Sequence, residues 1–266
     1  MYCYHSFVPE SKKDNNEGQQ TPSMDTQPYT LMTADVYDAI YADKDYASEA
    51  KTLKDVINHF KKADGNELLD VACGTGQNLP HLIDGYQITG LDLSEQQLEA
   101  ARKRLPGLTF VQGDMRDFDL GRQFDVVTCL FSSIGYAQPL PEMQKAIANM
   151  TKHVKPGGVL IVEPWLQPGV FDPDRPPHTD VGKHPTKDLE VTRTTHNSLE
   201  GNVSILKMVH EVKTPEGVRN FTEEHRLALY TPKEYQSAFE SAGLQFNRDE
   251  HGLSGRGLYI GQKPLQ

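Results

Sequence analysis

Glu67-Leu68-Leu69-Asp70-Val71-Ala72-Cys73-Gly74-Thr75-Gly76 decides how the rest of the chain is read. A short apolar run, interrupted by Asp70, passes directly into a turn carrying Gly74 and Gly76. Such a run reads as a buried strand. In an open parallel sheet, ligands bind beyond the carboxyl ends of the strands, where glycine lets a ligand approach the backbone closely. A plain tight turn would also show Gly-x-Gly, so the flanking elements have to decide.

Upstream, Tyr46, Ala50, Leu53, Ile57 and Phe60 recur at steps of three and four, which predicts one buried helix face. Downstream, a helix is expected through Leu79 and Leu82, then a strand from Gln87 to Leu91 ending at Asp92. Ser94 with Gln97 three residues on reads as a capping box, opening a helix that buries Leu98, Ala101 and Leu105. Strands follow at Leu108 to Val111 and Phe124 to Phe131, then a helix at about Leu140 to His153. Pro156-Gly157-Gly158 turns the chain into a strand from Val159 to Glu163. Strand alternating with helix predicts an α/β fold with a doubly wound, mostly parallel sheet.

Residues 165–188 break the alternation and read as a loop, either a lid over an acceptor or a plain connection. Residues 190–230 then read as antiparallel strands, among them Ser204 to Val212 and Glu224 to Tyr230, around a turn at Pro215-Glu216-Gly217. Thr231, Pro232 and Glu234 mark the start of a last helix that buries Tyr235, Ala238 and Phe239 and stops at Gly243. Two strands, near 244–249 and 257–261, close the chain. The expectation is one sheet with an antiparallel β insertion, at about 165–230, before the last helix. Residues 1–30 are expected to be a disordered polar leader without a catalytic part, and 31–266 the functional domain.

The chain has 266 residues, enough for one such domain, and a net charge of −10 with no concentrated run of Lys and Arg. Nucleic acid is therefore not an expected partner. Its three cysteines are far apart and odd in number, which suggests neither a disulfide framework nor a zinc site. His178 and His184 lie in the irregular stretch and read as loop residues, so no metal is expected. No apolar segment reaches the ~20 residues needed to span a bilayer, and no basic start precedes an apolar run. The expected location is the cytoplasm.

Asp92 stands at the end of the second strand, where a carboxylate can accept both hydroxyl hydrogens of a ribose. Its alternative role as a helix cap is already filled by Ser94. A dinucleotide fingerprint would place a third glycine where this chain has Leu79. Asp114, in Gly113-Asp114-Met115, is placed to accept from an adenine amino group while Met115 packs on the ring; Met115 alone fits ordinary core filling equally well. Taken together, the three strand ends favour S-adenosylmethionine (SAM).

Residues 68–76, 90–94, 112–118 and Lys155-Pro156-Gly157-Gly158 together resemble class I SAM-dependent methyltransferases, which implies their Rossmann-like sheet. More narrowly, Phe131-Ser132-Ser133-Ile134-Gly135-Tyr136, Val162-Glu163-Pro164-Trp165 and Ser254-Gly255-Arg256-Gly257-Leu258 resemble bacterial dTDP-amino-sugar N,N-dimethyltransferases, over about residues 33–263. The resemblance implies N-methylation of a nucleotide-linked amino sugar, in antibiotic biosynthesis, by a homodimer. It implies that Tyr46, Ala72, Gly74 and Leu130 lie along the cofactor, Leu130 standing where relatives often have Met. Asp92 would hold the ribose, and Asp114 and Met115 the adenine. Tyr41, Trp165 and Arg256 would face the acceptor, Arg256 as a partner for pyrophosphate. Tyr136 replaces the His of some relatives, which leaves the proton acceptor open among solvent, Tyr41, Tyr136 and His225. Spacing alone leaves Tyr37 and Tyr41, one helical turn apart, as readily packing residues as functional ones. Arg256, between two glycines, reads either as a solvent-facing turn residue or as a close contact. Methylation of another small amine or hydroxyl is the alternative activity, and a SAM-binding regulator without catalysis the alternative class. A nicotinamide dehydrogenase stands behind both.

Overall fold

The computed structural model describes residues 24–25 and 32–265. Of the expected leader, only the two-residue strand β1 (Met24–Asp25) falls within them; the rest of the leader lies outside the described residues. Two helices come first, α1 (Ala34–Ile40), capped by Thr33, and α2 (Tyr46–Phe60), capped by Asp45. Then come β2 (Glu67–Val71), β3 (Gln87–Asp92), α3 (Glu95–Arg104), β4 (Thr109–Gln112), β5 (Phe124–Cys129), α4 (Leu140–Lys152) and β6 (Val154–Val162). The insertion supplies β7 (His178–Lys183), β8 (Glu190–Glu200), β9 (Val203–Thr214) and β10 (Gly217–Ala228). Helix α5 (Pro232–Ser241) and strands β11 (Gln245–Asp249) and β12 (Leu258–Gln262) complete the fold.

The main sheet has seven strands in the order β11-β12-β6-β5-β2-β3-β4. From β6 to β4 all neighbours are parallel; β12 runs antiparallel to β6 and β11 antiparallel to β12. The apolar strands are sorted residue by residue between two cores, as a pleat covered on both faces demands. Leu68, Val126, Val159, Ile161 and Ile260 pack with α2 and α3. Leu69, Val127, Cys129, Leu160, Val162 and Tyr259 pack with α4 and α5 on the other side. Successive connections leave β2 toward β3 on one side and β5 on the other, so the chain reverses its strand order at β2. The crevice for a ligand opens at that point.

Several expectations need correction. The helix after the glycine turn is a single 3-10 turn, Leu79–His81. Leu79 and Leu82 are both buried there, and their i, i+3 spacing suits the three-residue period of that turn. The capping box at Ser94 is half formed: Ser94 Oγ accepts from Gln97 N at 3.4 Å, but the Ser94 N–H is held by Asp92 Oδ1 at 2.8 Å, so Gln97 cannot return the bond. Pro156-Gly157-Gly158 lies inside β6, at a break in its register with β5, rather than before it. The full box expected at Thr231 and Glu234 is present.

The insertion does not extend the main sheet. Its four strands join β1 in a second sheet of order β1-β10-β9-β8-β7. His178, expected in a loop, opens β7; this is an edge strand, whose polar composition reflects pairing on one side. Helix α1 packs on this second sheet: Met32, Val36 and Ala39 share a core with Val191, Val212 and Phe221. Gly182 permits the docking, because a Cβ there would collide with the Ala39 backbone.

Candidate active site

At the carboxyl ends of β2 to β5 lies a cavity of about 660 Å3, within the range that takes a small ligand or cofactor. It opens where the two central strands end. Ala72 after β2 and Phe131 and Ser132 after β5 all have left-handed backbones, with φ of 59°, 53° and 66°. Such conformations cost of order 1–3 kcal/mol each and concentrate at functional sites. Gly74 shares that backbone, at φ 56°, and a Cβ there would meet no described atom within 4 Å, so the glycine faces open cavity.

Acidic groups line this edge. Asp92 accepts from Gly74 N through Oδ2 and from Ser94 N through Oδ1, both at 2.8 Å. The carboxylate thus ties the glycine turn to the start of α3, while its remaining lone pairs stay available. Burial pushes its pKa up against the pull of these bonds. Asp114 is gripped by the Arg116 guanidinium, with Nε 2.9 Å from Oδ1 and 3.0 Å from Oδ2, and this bond holds its carboxyl below the usual range. Asp70 sits deeper, fully buried, and accepts from Thr128 Oγ1 at 2.7 Å; burial pushes it up to about 7. The Tyr46 hydroxyl is buried without a hydrogen-bond partner among the described residues, and burial raises its phenol pKa strongly.

Of the residues singled out from sequence, Tyr46, Ala72, Gly74, Asp92, Asp114, Met115, Leu130 and Tyr136 line the cavity. Tyr41, Trp165, His225 and Arg256 do not. Two of those four, Tyr41 and Arg256, gather around Phe131, which does line it, and Trp165 stands beside Arg256. The Tyr41 ring meets Phe131 edge-on at 5.1 Å between centroids, and the Arg256 guanidinium lies 5.6 Å from the Phe131 ring and 5.9 Å from that of Trp165. Lys44 Nζ adds a second cation 5.1 Å from the same ring. Arg256 Nη2 donates to Glu163 Oε1 at 3.2 Å, and Glu163 Oε2 accepts from Phe131 N at 2.7 Å. The fourth, His225, is buried behind Tyr136, its Nδ1 2.6 Å from the tyrosine oxygen.

Sequence reasoning missed three anchors. Asp38 of α1 is buried and accepts from Thr75 Oγ1 at 3.0 Å and Gln77 Nε2 at 2.8 Å, and it pairs with Arg104. It clamps α1 onto the glycine turn, and no spacing signal distinguishes it from an exposed helix acid. Arg193 of β8 donates to Tyr41 Oη at 3.0 Å and to Asp180 Oδ2 at 2.8 Å, fixing the ring of Tyr41 from the second sheet. Glu163 orients both Phe131 and Arg256; an acid ending an otherwise apolar strand was its available signal.

A glycine turn at the switch point, an acid ending the neighbouring strand and a further acid after the third make this edge the candidate site of a SAM-dependent methyltransferase. Comparison with known proteins agrees. Residues 68–158 match the methyltransferase domain family. A Streptomyces venezuelae dTDP-3-amino-3,4,6-trideoxy-alpha-D-glucopyranose N,N-dimethyltransferase is 43% identical over 88% of this chain and 98% of its own. A Streptomyces fradiae dTDP-3-amino-3,6-dideoxy-alpha-D-glucopyranose N,N-dimethyltransferase is 40% identical over 88% of this chain and 91% of its own. Among solved structures, Streptomyces venezuelae DesVI superposes with a TM-score of 0.80 at 43% identity, covering 87% of this chain and 98% of that one. A SAM-bound amino pentose methyltransferase from Micromonospora echinaspora gives 0.76 at 36%, covering 86% and 96%. The chain belongs to the family of SAM-dependent dTDP-amino-sugar N,N-dimethyltransferases, and it is an enzyme that uses SAM.

Proposed function

We propose that the protein N,N-dimethylates the amino group of a nucleotide-linked amino sugar. The observation that carries this reading is the continuity at Phe131, one of whose neighbours is the cofactor cavity while the others are Tyr41, Lys44 and Arg256. An acceptor with an amine at one end and a diphosphate at the other suits that layout, the amine toward the cavity and the phosphates toward the two cations. The names of the relatives describe such acceptors.

SAM supplies a methyl group on a sulfonium, open to in-line displacement by an amine lone pair. The open face at Gly74, the buried Tyr46 hydroxyl and the Asp92 carboxylate fit this group. Tyr46, Ala72, Gly74 and Leu130 would border its methionine end, Asp92 its ribose, and Asp114 with Met115 its adenine. Tyr41 and Trp165 would shape the acceptor side, and Arg256 would take the phosphates. The chain's main contribution is alignment with water excluded, worth ~7–11 kcal/mol when good. Tyr41, Tyr136 and His225 are the side chains through which a proton could leave the acceptor.

Among the described residues no helix is long and apolar enough to cross a membrane. A cytoplasmic homodimer is the assembly this reading includes, checked by light scattering. The deciding test incubates the enzyme with methyl-labelled SAM and a panel of dTDP-amino sugars, with mono- and dimethylated products resolved by mass spectrometry. Label in none of them refutes the acceptor and turns attention to other amines and hydroxyls.

A further inference from the structure

Tyr136 stands at the cavity wall with a buried polar chain behind it. Its hydroxyl lies 2.6 Å from His225 Nδ1, and His225 Nε2 lies 3.6 Å from Glu223 Oε2. Both residues belong to β10, two apart and therefore on the same, inward face, and both are almost wholly buried. The other Glu223 oxygen accepts from Met32 N at 2.8 Å, which fixes the carboxylate. A phenol, an imidazole and a carboxylate in this order make a path from the cavity into the second sheet. Packing alone does not require it, since burying an acid and a histidine costs stability unless they are paired.

We propose that Tyr136, His225 and Glu223 form a proton relay that deprotonates the acceptor ammonium before each methyl transfer. Tyr136 is the residue that touches the acceptor; His225 and Glu223 act through it as positioning residues. In the resting state the Tyr136 hydroxyl donates to His225 Nδ1, which leaves the ring hydrogen on Nε2, toward Glu223. The ammonium N–H bond then breaks and its proton moves to the Tyr136 oxygen, as the phenolic proton passes to Nδ1. The amine keeps its electron pair, and His225 becomes an imidazolium facing the Glu223 carboxylate. That pair of electrons forms the new N–C bond, while the S–C pair stays on sulfur. His225 returns its proton to solvent after product leaves, and a second methylation repeats the cycle. Among the described residues, His210 on the adjacent strand β9 interacts electrostatically with both His225 and Glu223, and Arg193 of β8 lies opposite His210. Burial lowers the His210 pKa to about 4, so it stays neutral at pH 7 and does not compete for the proton.

This inference rests on the amine acceptor proposed above, and the experiment separates the two. The pH dependence of kcat/KM and the mono- to dimethyl product ratio are measured for wild type, Tyr136→Phe, His225→Gln and Glu223→Gln on a dTDP-amino sugar. Melting temperature and calorimetric SAM affinity report on folding. Without the relay the enzyme depends on acceptor already neutral in solution, whose ammonium titrates near ~8 if it resembles an α-amino group. The expected result for Tyr136→Phe and His225→Gln is a loss of about 30-fold at pH 6.5, the inverse of the roughly 3% neutral fraction of an ammonium titrating near ~8. The loss should shrink toward wild type above pH ~9, and monomethyl product should accumulate. Histidine 15N NMR without SAM adds a readout independent of turnover: acceptor binding converts one buried imidazole to imidazolium in wild type and not in Tyr136→Phe. Wild-type turnover with parallel pH profiles in folded Tyr136→Phe and His225→Gln overturns the relay alone. No transfer to any amino sugar by the wild type overturns the acceptor reading, and the relay with it.

Discussion

Replacing Asp92 should separate cofactor affinity from fold stability, and the geometry says by how much. Both of its oxygens accept backbone N–H bonds, from Gly74 and Ser94, at 2.8 Å each. In the proposed complex the same carboxylate also accepts from two ribose hydroxyls. Hydrogen bonds to a charged group are worth about 1.5–3 kcal/mol each. Losing two therefore removes about 3–6 kcal/mol of binding, and at 1.4 kcal/mol per decade SAM affinity should fall at least ~100-fold in Asp92→Ala. Asp92→Asn should be nearly as damaging. An amide offers one acceptor oxygen and one NH2, and the NH2 must face either the Gly74 or the Ser94 N–H. Fold stability should respond to pH instead. Burial raises the Asp92 pKa, so its contribution to stability is full below the unfolded carboxylate pKa and is lost as pH rises through the folded one. At pH 7 the charge weakens the fold, but the asparagine also leaves the Gly74 or the Ser94 N–H without an acceptor, so the variant should melt below wild type at low pH and narrow the gap as pH rises. Isothermal calorimetry with SAM and a thermal melt on the same samples test both halves. Asp92→Ala binding SAM within threefold of wild type would refute the placement of the ribose.

Asp70, pushed up to about 7 by burial, should make SAM binding pH-dependent. A cationic ligand at the cavity favours the ionised acid, so affinity should rise from pH 5 to pH 8 and flatten above; a flat calorimetric profile refutes the coupling. The same shift weakens the unliganded fold as pH climbs through 7, so Asp70→Asn should raise the melting temperature at pH 8 and leave it unchanged at pH 4. Gly74→Ala should cost about 1–2 kcal/mol in a denaturant titration, because its φ is 56°; SAM affinity should fall tenfold or more, because the new methyl projects into the cavity. Leu69→Ala, buried between β2 and the α4–α5 layer, should lose about 2–5 kcal/mol of stability by chemical denaturation with no pH dependence.

The parallel sheet was legible because its strands announce themselves locally: Leu68, Leu69 and Val71, and likewise Phe124, Val126, Val127 and Cys129, put apolar side chains on both faces. Residues that line the cavity were legible for a related reason. Ala72, Asp92 and Asp114 each sit at a strand end, and in this architecture strand ends converge. Partnerships between distant segments were not legible. Tyr136 and His225 are 89 residues apart, and nothing in either neighbourhood marks the other. The docking of α1 onto the second sheet was hidden as well, because its apolar face, Val36 and Ala39, would pack equally well on the main sheet. Strand β7 was hidden because an edge strand with His178, Asp180 and Lys183 carries the composition of a loop. His178 therefore read as irregular chain until its pairing with β8 was seen.

Helix α1 leans on the second sheet through Val36 and Ala39, yet its Asp38 is fastened to Thr75, Gln77 and Arg104 on the first. It works as a rivet through two plates. If either plate tilts to admit or release a guest, the rivet is dragged along, and Tyr41 at its end swings with it. The surroundings of Tyr41 and the glycine turn thus share one fastening, a seven-residue helix.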